Sequence, residues 1–200
     1  MKIMFFTDTH GDIDSLNHVR EQIEEKGAEL AVCAGDISVF EEDMHRLLGK
    51  VDRFGVPVLM MPGNHESEEY LSKACSRYRN VEYINNGCFE NDEVFLICIE
   101  GNGFARKDAE FERVAKKLLP LLKEKKDLRY VLVTHAVPYN TKLDLIGNYH
   151  VGNKSIRNFI RRTKPIYAIC GHLHENERKK DRIGKTVVVN PGMYGMVLSV

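Results

Sequence analysis

The chain has 200 residues, 43% of them hydrophobic and 29% charged, and its 29 basic and 29 acidic side chains cancel. That length suits one domain with a real core, and the balanced charge excludes the basic excess that draws proteins to nucleic acid or anionic membranes. The cysteines, five in number and without a CxxC pair, fit a reducing cytoplasm, and no apolar run approaches the roughly 18 residues that span a bilayer.

The first apolar run, residues 3–6, predicts a strand that stops at Thr7-Asp8-Thr9-His10-Gly11-Asp12, too early for a signal peptide. A helix follows, capped at Asp12 or Asp14, with Leu16, Val19 and Ile23 at helical spacing and a stop at Gly27. Residues 30–34 form the next expected strand, ending in Gly35-Asp36. A helix over 41–53 carries Met44, Leu47, Leu48 and Val51 on one stripe, read as core. The strand at 56–61 runs into Pro62-Gly63-Asn64-His65-Glu66, and further strands are expected at 81–84 and 94–99. The helix over 108–125 contains Pro120, expected to break or kink it. A strand at 130–133 precedes Thr134-His135, and a short helix spans 155–162. The strand at 167–170 precedes Gly171-His172-Leu173-His174, and 186–189 is an eighth strand. Most of these strands are apolar throughout, the pattern of strands covered on both faces in parallel sheets. Strand and helix alternation predicts an α/β fold with right-handed crossovers. Nothing divides the chain, so one domain over 1–200 is expected.

In open α/β sheets ligands bind beyond the carboxyl ends of the strands. Five strand ends here carry Asp8, His10, Asp36, Asn64, His65, His135, His172 and His174. Singly, each is more simply a cap, a turn residue or a solvated histidine; together they form a coherent ligand set. Carboxylate, imidazole and amide oxygen without thiolate suit divalent manganese, iron or zinc rather than calcium or a structural zinc site. His172 and His174 lie two apart, which on a straight strand puts both on one face and on one shared ion. Gly171 at the strand end leaves them free to diverge instead.

The order Asp8-x-His10, Gly35-Asp36, Gly63-Asn64-His65-Glu66, His135, Gly171-His172-x-His174 resembles the calcineurin-like metallophosphoesterase family, and Asn190-Pro191-Gly192 is similar to a closing motif of its small prokaryotic members. The resemblance implies a two-sheet β-sandwich flanked by helices, with the metal site at strand ends. It implies that Asp8, His10 and His174 hold one divalent ion, that Asn64, His135 and His172 hold a second, and that Asp36 bridges them. Manganese is the expected metal, with iron, zinc and nickel as alternatives. Two ions about 4 Å apart would bind a bridging hydroxide for in-line attack on a phosphodiester or phosphomonoester, and His65 would protonate the leaving oxygen.

The stretch Gly35-Asp36-Ile37-Ser38-Val39-Phe40-Glu41 lacks the GDxxDRG motif of protein phosphatases, and the chain is short for a repair nuclease. A small phosphoester substrate is therefore expected, and no nucleic acid or membrane. A metallo-β-lactamase would want HxHxDH, which Gly171-His172-Leu173-His174-Glu175-Asn176 does not supply. A non-catalytic metal-binding scaffold of the same fold is the alternative; intact ligand positions and His65 weigh against it. The long loop over 138–153 offers Asn140, Lys142, Tyr149 and His150 as substrate contacts, and Arg106, in the segment after the fifth strand, is a further candidate. Glu66 and Glu175 are read as solvated carboxylates, with hydrogen bonding in support of the neighbouring histidines as the alternative.

Overall fold

The computed structural model describes residues 1–124 and 129–200. Elements are numbered along the chain. One sheet contains β1 (Lys2–Phe6), β2 (Leu30–Cys33), β3 (Val58–Met60) and β4 (Val81–Tyr83), all parallel. The antiparallel β13 (Met196–Ser199) lies on the outer edge of β1, giving the order β13-β1-β2-β3-β4. The second sheet has the order β11-β12-β10-β7-β6-β5. Its β6 (Phe95–Cys98), β7 (Tyr130–Val133), β10 (Tyr167–Ile169) and β12 (Thr186–Val189) are parallel. Its edges, β5 (Gly87–Glu90) and β11 (Lys180–Ile183), are antiparallel. A two-stranded ribbon, β8 (Leu145–Ile146) with β9 (Tyr149–His150), stands apart.

Alternation along each strand fills three apolar layers. In β1, Ile3 and Phe5 join Val32, Leu96, Val131 and Ile169 between the two sheets. Met4 and Phe6 point the other way, onto α1 (Ile13–Lys26), α2 (Met44–Val51) and α3 (Glu68–Cys75). On the outer face of the second sheet, Ile97 and Leu132 meet Phe111 of α4 (Ala109–Glu124) and Ile160 of α5 (Lys154–Thr163). The central strands are apolar throughout because both faces are covered, and the expected two-sheet sandwich with flanking helices is present.

Local expectations fare unevenly. Asp12 caps α1 by accepting the Asp14 N–H, and Gly27 ends it at φ 63°. Helix α2 begins at Met44 rather than 41, because Phe40, Glu41 and Asp43 have φ of 48°, 68° and 50°, outside the right-handed helical region. Helix α4 runs through Pro120 without a break. Pro120 and Lys116, whose carbonyl loses its helical donor, are both exposed, so water can take the bond. Lys125, the expected last residue of that helix, lies outside the described residues. Among the described residues no helix is long and apolar enough to cross a membrane.

Candidate metal centre

The parallel strands of both sheets deliver their polar termini to one place. Several of these residues leave their strands in left-handed backbone: Asp8 at φ 56°, His10 at 45°, Asp36 at 53° and His172 at 68°. Such conformations cost roughly 1–3 kcal/mol each for non-glycine residues and persist where surrounding structure enforces them. Here the enforcing bonds join neighbouring loops. Asp8 N–H donates to the Gly35 carbonyl (3.0 Å), His10 N–H to that of Asp36 (3.1 Å) and Gly171 N–H to that of His135 (2.9 Å).

Glu66 is the correction to the sequence reading. It is buried, not solvated. Its carboxylate accepts from Asp36 N–H (3.0 Å), Ser38 N–H (2.9 Å), Ser38 Oγ (2.7 Å) and Gly63 N–H (3.0 Å), tying the loop after β2 to the loop after β3. Burial raises its pKa, against these donors. Gly63 completes the joint, since a Cβ there would run into the Asp36 carboxylate. Glu175 is exposed, as expected.

Three overlapping triads of ligand-type atoms result: Asp8, His10 and His174; His10, Asp36 and His65; Asp8, Asp36 and His135. Asp36 Oδ2 faces His135 Nε2 at 3.3 Å and His10 Nε2 at 3.8 Å, while Oδ1 accepts the His65 N–H at 2.9 Å. His10 Nε2 lies 3.0 Å from His174 Nε2, and His174 Nε2 lies 3.6 Å from Asp8 Oδ1. For ligands about 2.1 Å from a shared octahedral ion, neighbouring donors sit roughly 3.0 Å apart and opposite ones roughly 4.2 Å, so these spacings fit.

Two histidines differ in tautomer, each set by the backbone. His135 Nδ1 lies 3.0 Å from the Ala34 carbonyl, which only accepts, so Nδ1 carries the hydrogen. Its neutral Nε2 is then a bare lone pair, fully buried, facing a carboxylate and without a hydrogen bond. His65 Nδ1 instead accepts from Phe40 N–H at 3.3 Å, so its neutral ring presents Nε2–H. Asn64 Oδ1 is a second buried acceptor without a partner. A bare imidazole nitrogen beside a buried carboxylate wants a proton or a cation. In the metal-free protein the proton serves. Burial acts to lower the pKa of His135, but Asp36 overrides it and lifts the value to about 9. Burial acts to raise Asp36, and His135 together with the His65 N–H holds it at about 2. Burial and then His135 depress His172 to about 4. Burial lowers His10, whereas the Asp8 carboxylate raises His174.

His172 stands beside the triads rather than in them. Its N–H donates to both Asp8 oxygens (3.1 and 3.0 Å), and its ring centre lies 5.3 Å from that of His135. The His174 ring turns to His10, 4.7 Å away. The left-handed φ of His172 breaks strand alternation, so the two rings part. Gly103 and Phe104, in the segment that carries Arg106, pack on His172; the Phe104 ring stands edge-on at 4.8 Å. Phe40, missed in the sequence, lies 4.4 Å from the His65 ring.

The remaining candidates point to one another. Arg106 bonds to the His150 carbonyl and covers the Tyr139 ring at 4.6 Å. Asp144, fully buried and overlooked in the sequence, accepts Asn140 N–H (2.9 Å), Thr141 N–H (2.7 Å), Gly152 N–H (3.0 Å) and bonds His150 Nδ1 (2.7 Å). Lys142 N–H donates to Asp181, and Tyr149 is exposed. The 138–153 loop is thus organised around its own carboxylate.

This architecture, with imidazoles and carboxylates gathered where two sheets end, is that of the metallophosphoesterases. A protein of Thermus thermophilus superposes with a TM-score of 0.74 at 16% identity, covering 96% of this chain and 90% of that one. A dimetal phosphatase of Danio rerio superposes at 0.67 with 11% identity, covering 94% and 86%. An uncharacterized protein of Methanocaldococcus jannaschii is 32% identical over an alignment 205 positions long, covering 96% of this chain and 88% of that one. The sequence matches the calcineurin-like phosphoesterase family over residues 1–176, and the chain belongs to that family.

Proposed function

We propose that the chain hydrolyses small phosphoesters in the cytoplasm with two divalent cations. Asp8, His10 and His174 would hold one, Asn64, His135 and His172 the other, and Asp36 would serve both. Manganese suits this donor set, as do iron, zinc and nickel. When bound, such ions supply an activated water and offset charge on the phosphoryl oxygens. The observation that carries the reading is the pair of orphaned buried acceptors, Asn64 Oδ1 and His135 Nε2. Family membership supports phosphoester hydrolysis in general.

His65 differs from the ligands because its neutral ring offers a donor, Nε2–H, where His135 offers a lone pair. As general acid it also takes a proton on Nδ1 and gives up the long 3.3 Å bond from Phe40; an anionic substrate nearby stabilises that cation. His65→Ala is expected to retain two ions per chain by elemental analysis. Its kcat on an alkyl phosphoester should fall at least about 100-fold, and less on a nitrophenyl ester, whose leaving oxygen needs no proton. Unchanged turnover of the alkyl ester, or loss of the ions, removes His65 from this role.

A further inference from the structure

A cleft of about 620 Å³ opens beside the metal centre, within the size range of small-molecule sites. Asn64 is one of its walls and His65 is not. On the reading proposed above, on which this inference rests, the leaving group departs at His65, so a substituent entering the cleft is one that stays on phosphorus. Such a substrate has two organic groups and is a diester.

The walls define the substituent. Phe104 lines the cleft with 78% of its surface exposed and stands edge-on to His172. A bare phenyl face in water favours a flat aromatic partner. Glu68, Asn86 and Glu100 also line the cleft. Glu68 Oε1 takes the Asn85 and Asn86 amides and Glu100 Oε2 takes that of Asn85. Among the described residues the other oxygen of each carboxylate has no hydrogen bond. The arginine in the wall, Arg113, is tied to Glu110. Burial raises Glu100 to about 7; a free carboxylate oxygen, as on Glu68, repels phosphate and accepts N–H groups. We infer that the cleft binds a flat ring bearing an N–H donor on the retained side of a phosphodiester, with Phe104 against the ring and Glu68 at its donor.

Three nitrophenyl diesters with one common leaving group test this on the metal-loaded protein: methyl, phenyl, and thymidine-5′ nitrophenyl phosphate. The kcat/KM should rise in that order. Phe104→Ala should cut the thymidine-to-methyl ratio at least tenfold, mainly through KM; Phe104→Tyr should restore it and Phe104→Leu should not. Glu68→Gln should cut the thymidine-to-phenyl ratio. Metal content, measured in parallel, should hold at two ions in every variant. Equal rates for all three diesters, turnover of nitrophenyl phosphate monoester alone, or ratios indifferent to Phe104 overturn this inference and leave the phosphoesterase reading standing. No turnover of any phosphoester overturns both.

Discussion

At the scale of single residues, the candidate ligands were legible because metal chemistry narrows the choice: Asp8, His10, Asp36, His135 and His174 follow apolar runs, and the structure brings their side chains together. What stayed hidden depends on geometry that sequence does not encode locally. Glu66 follows a histidine in a turn and reads as solvated, yet four donors from residues 36, 38 and 63 surround it. Buried donors stripped of their acceptor cost about 1–3 kcal/mol each. Glu66→Ala should therefore lower unfolding free energy by about 3 kcal/mol or more in urea titration of the metal-free protein. A loss below about 1 kcal/mol would show that water replaces the carboxylate. The placement of Arg106 was equally hidden: its guanidinium bonds the His150 carbonyl and lies over the Tyr139 ring.

At the scale of elements, the central strands announce themselves because both faces are buried. The edge strands do not. In β11, Lys180-Asp181-Arg182-Ile183 buries Ile183 alone, and β5 is polar enough to leave every other residue exposed. Their pairing is decided by a neighbouring strand and by nothing in their own composition. Helix α3 was missed because its inward residues, Leu71, Ala74 and Cys75, include two small ones and make a weaker apolar stripe than Ile156, Phe159 and Ile160 of the short α5. Its Ser67 cap, which accepts from Tyr70 N–H, follows the Gly63-Asn64-His65-Glu66 turn directly. The helix thus anchors the loop that carries Asn64 and His65.

At the scale of the molecule, the two sheets are held together by apolar side chains and, at one edge, by the facing charges of Asp36 and His135. That pair gives the metal-free protein a distinct pH profile. Asp36 is held at about 2 against an ordinary 3.8, so its contribution is present above pH 3.8 and lost as pH falls toward 2. His135 is raised to about 9 from 6.5, so its contribution is full below pH 6.5 and lost as pH climbs through 9. Thermal unfolding in chelator should therefore show its highest Tm between these limbs. Saturating metal should abolish the alkaline limb, because the ion takes the place of the proton on Nε2. An alkaline limb equally steep with metal bound would detach His135 from the centre.

The most direct test of the account is metal content by elemental analysis of the wild-type chain and of His172→Ala and His174→Ala, read with competition calorimetry. The account predicts two ions per chain in wild type, with His174→Ala weakening the site of Asp8 and His10 and His172→Ala weakening the site of Asn64 and His135. One ion per chain, lost alike from both variants, would contradict it and return the two histidines to a single shared ion.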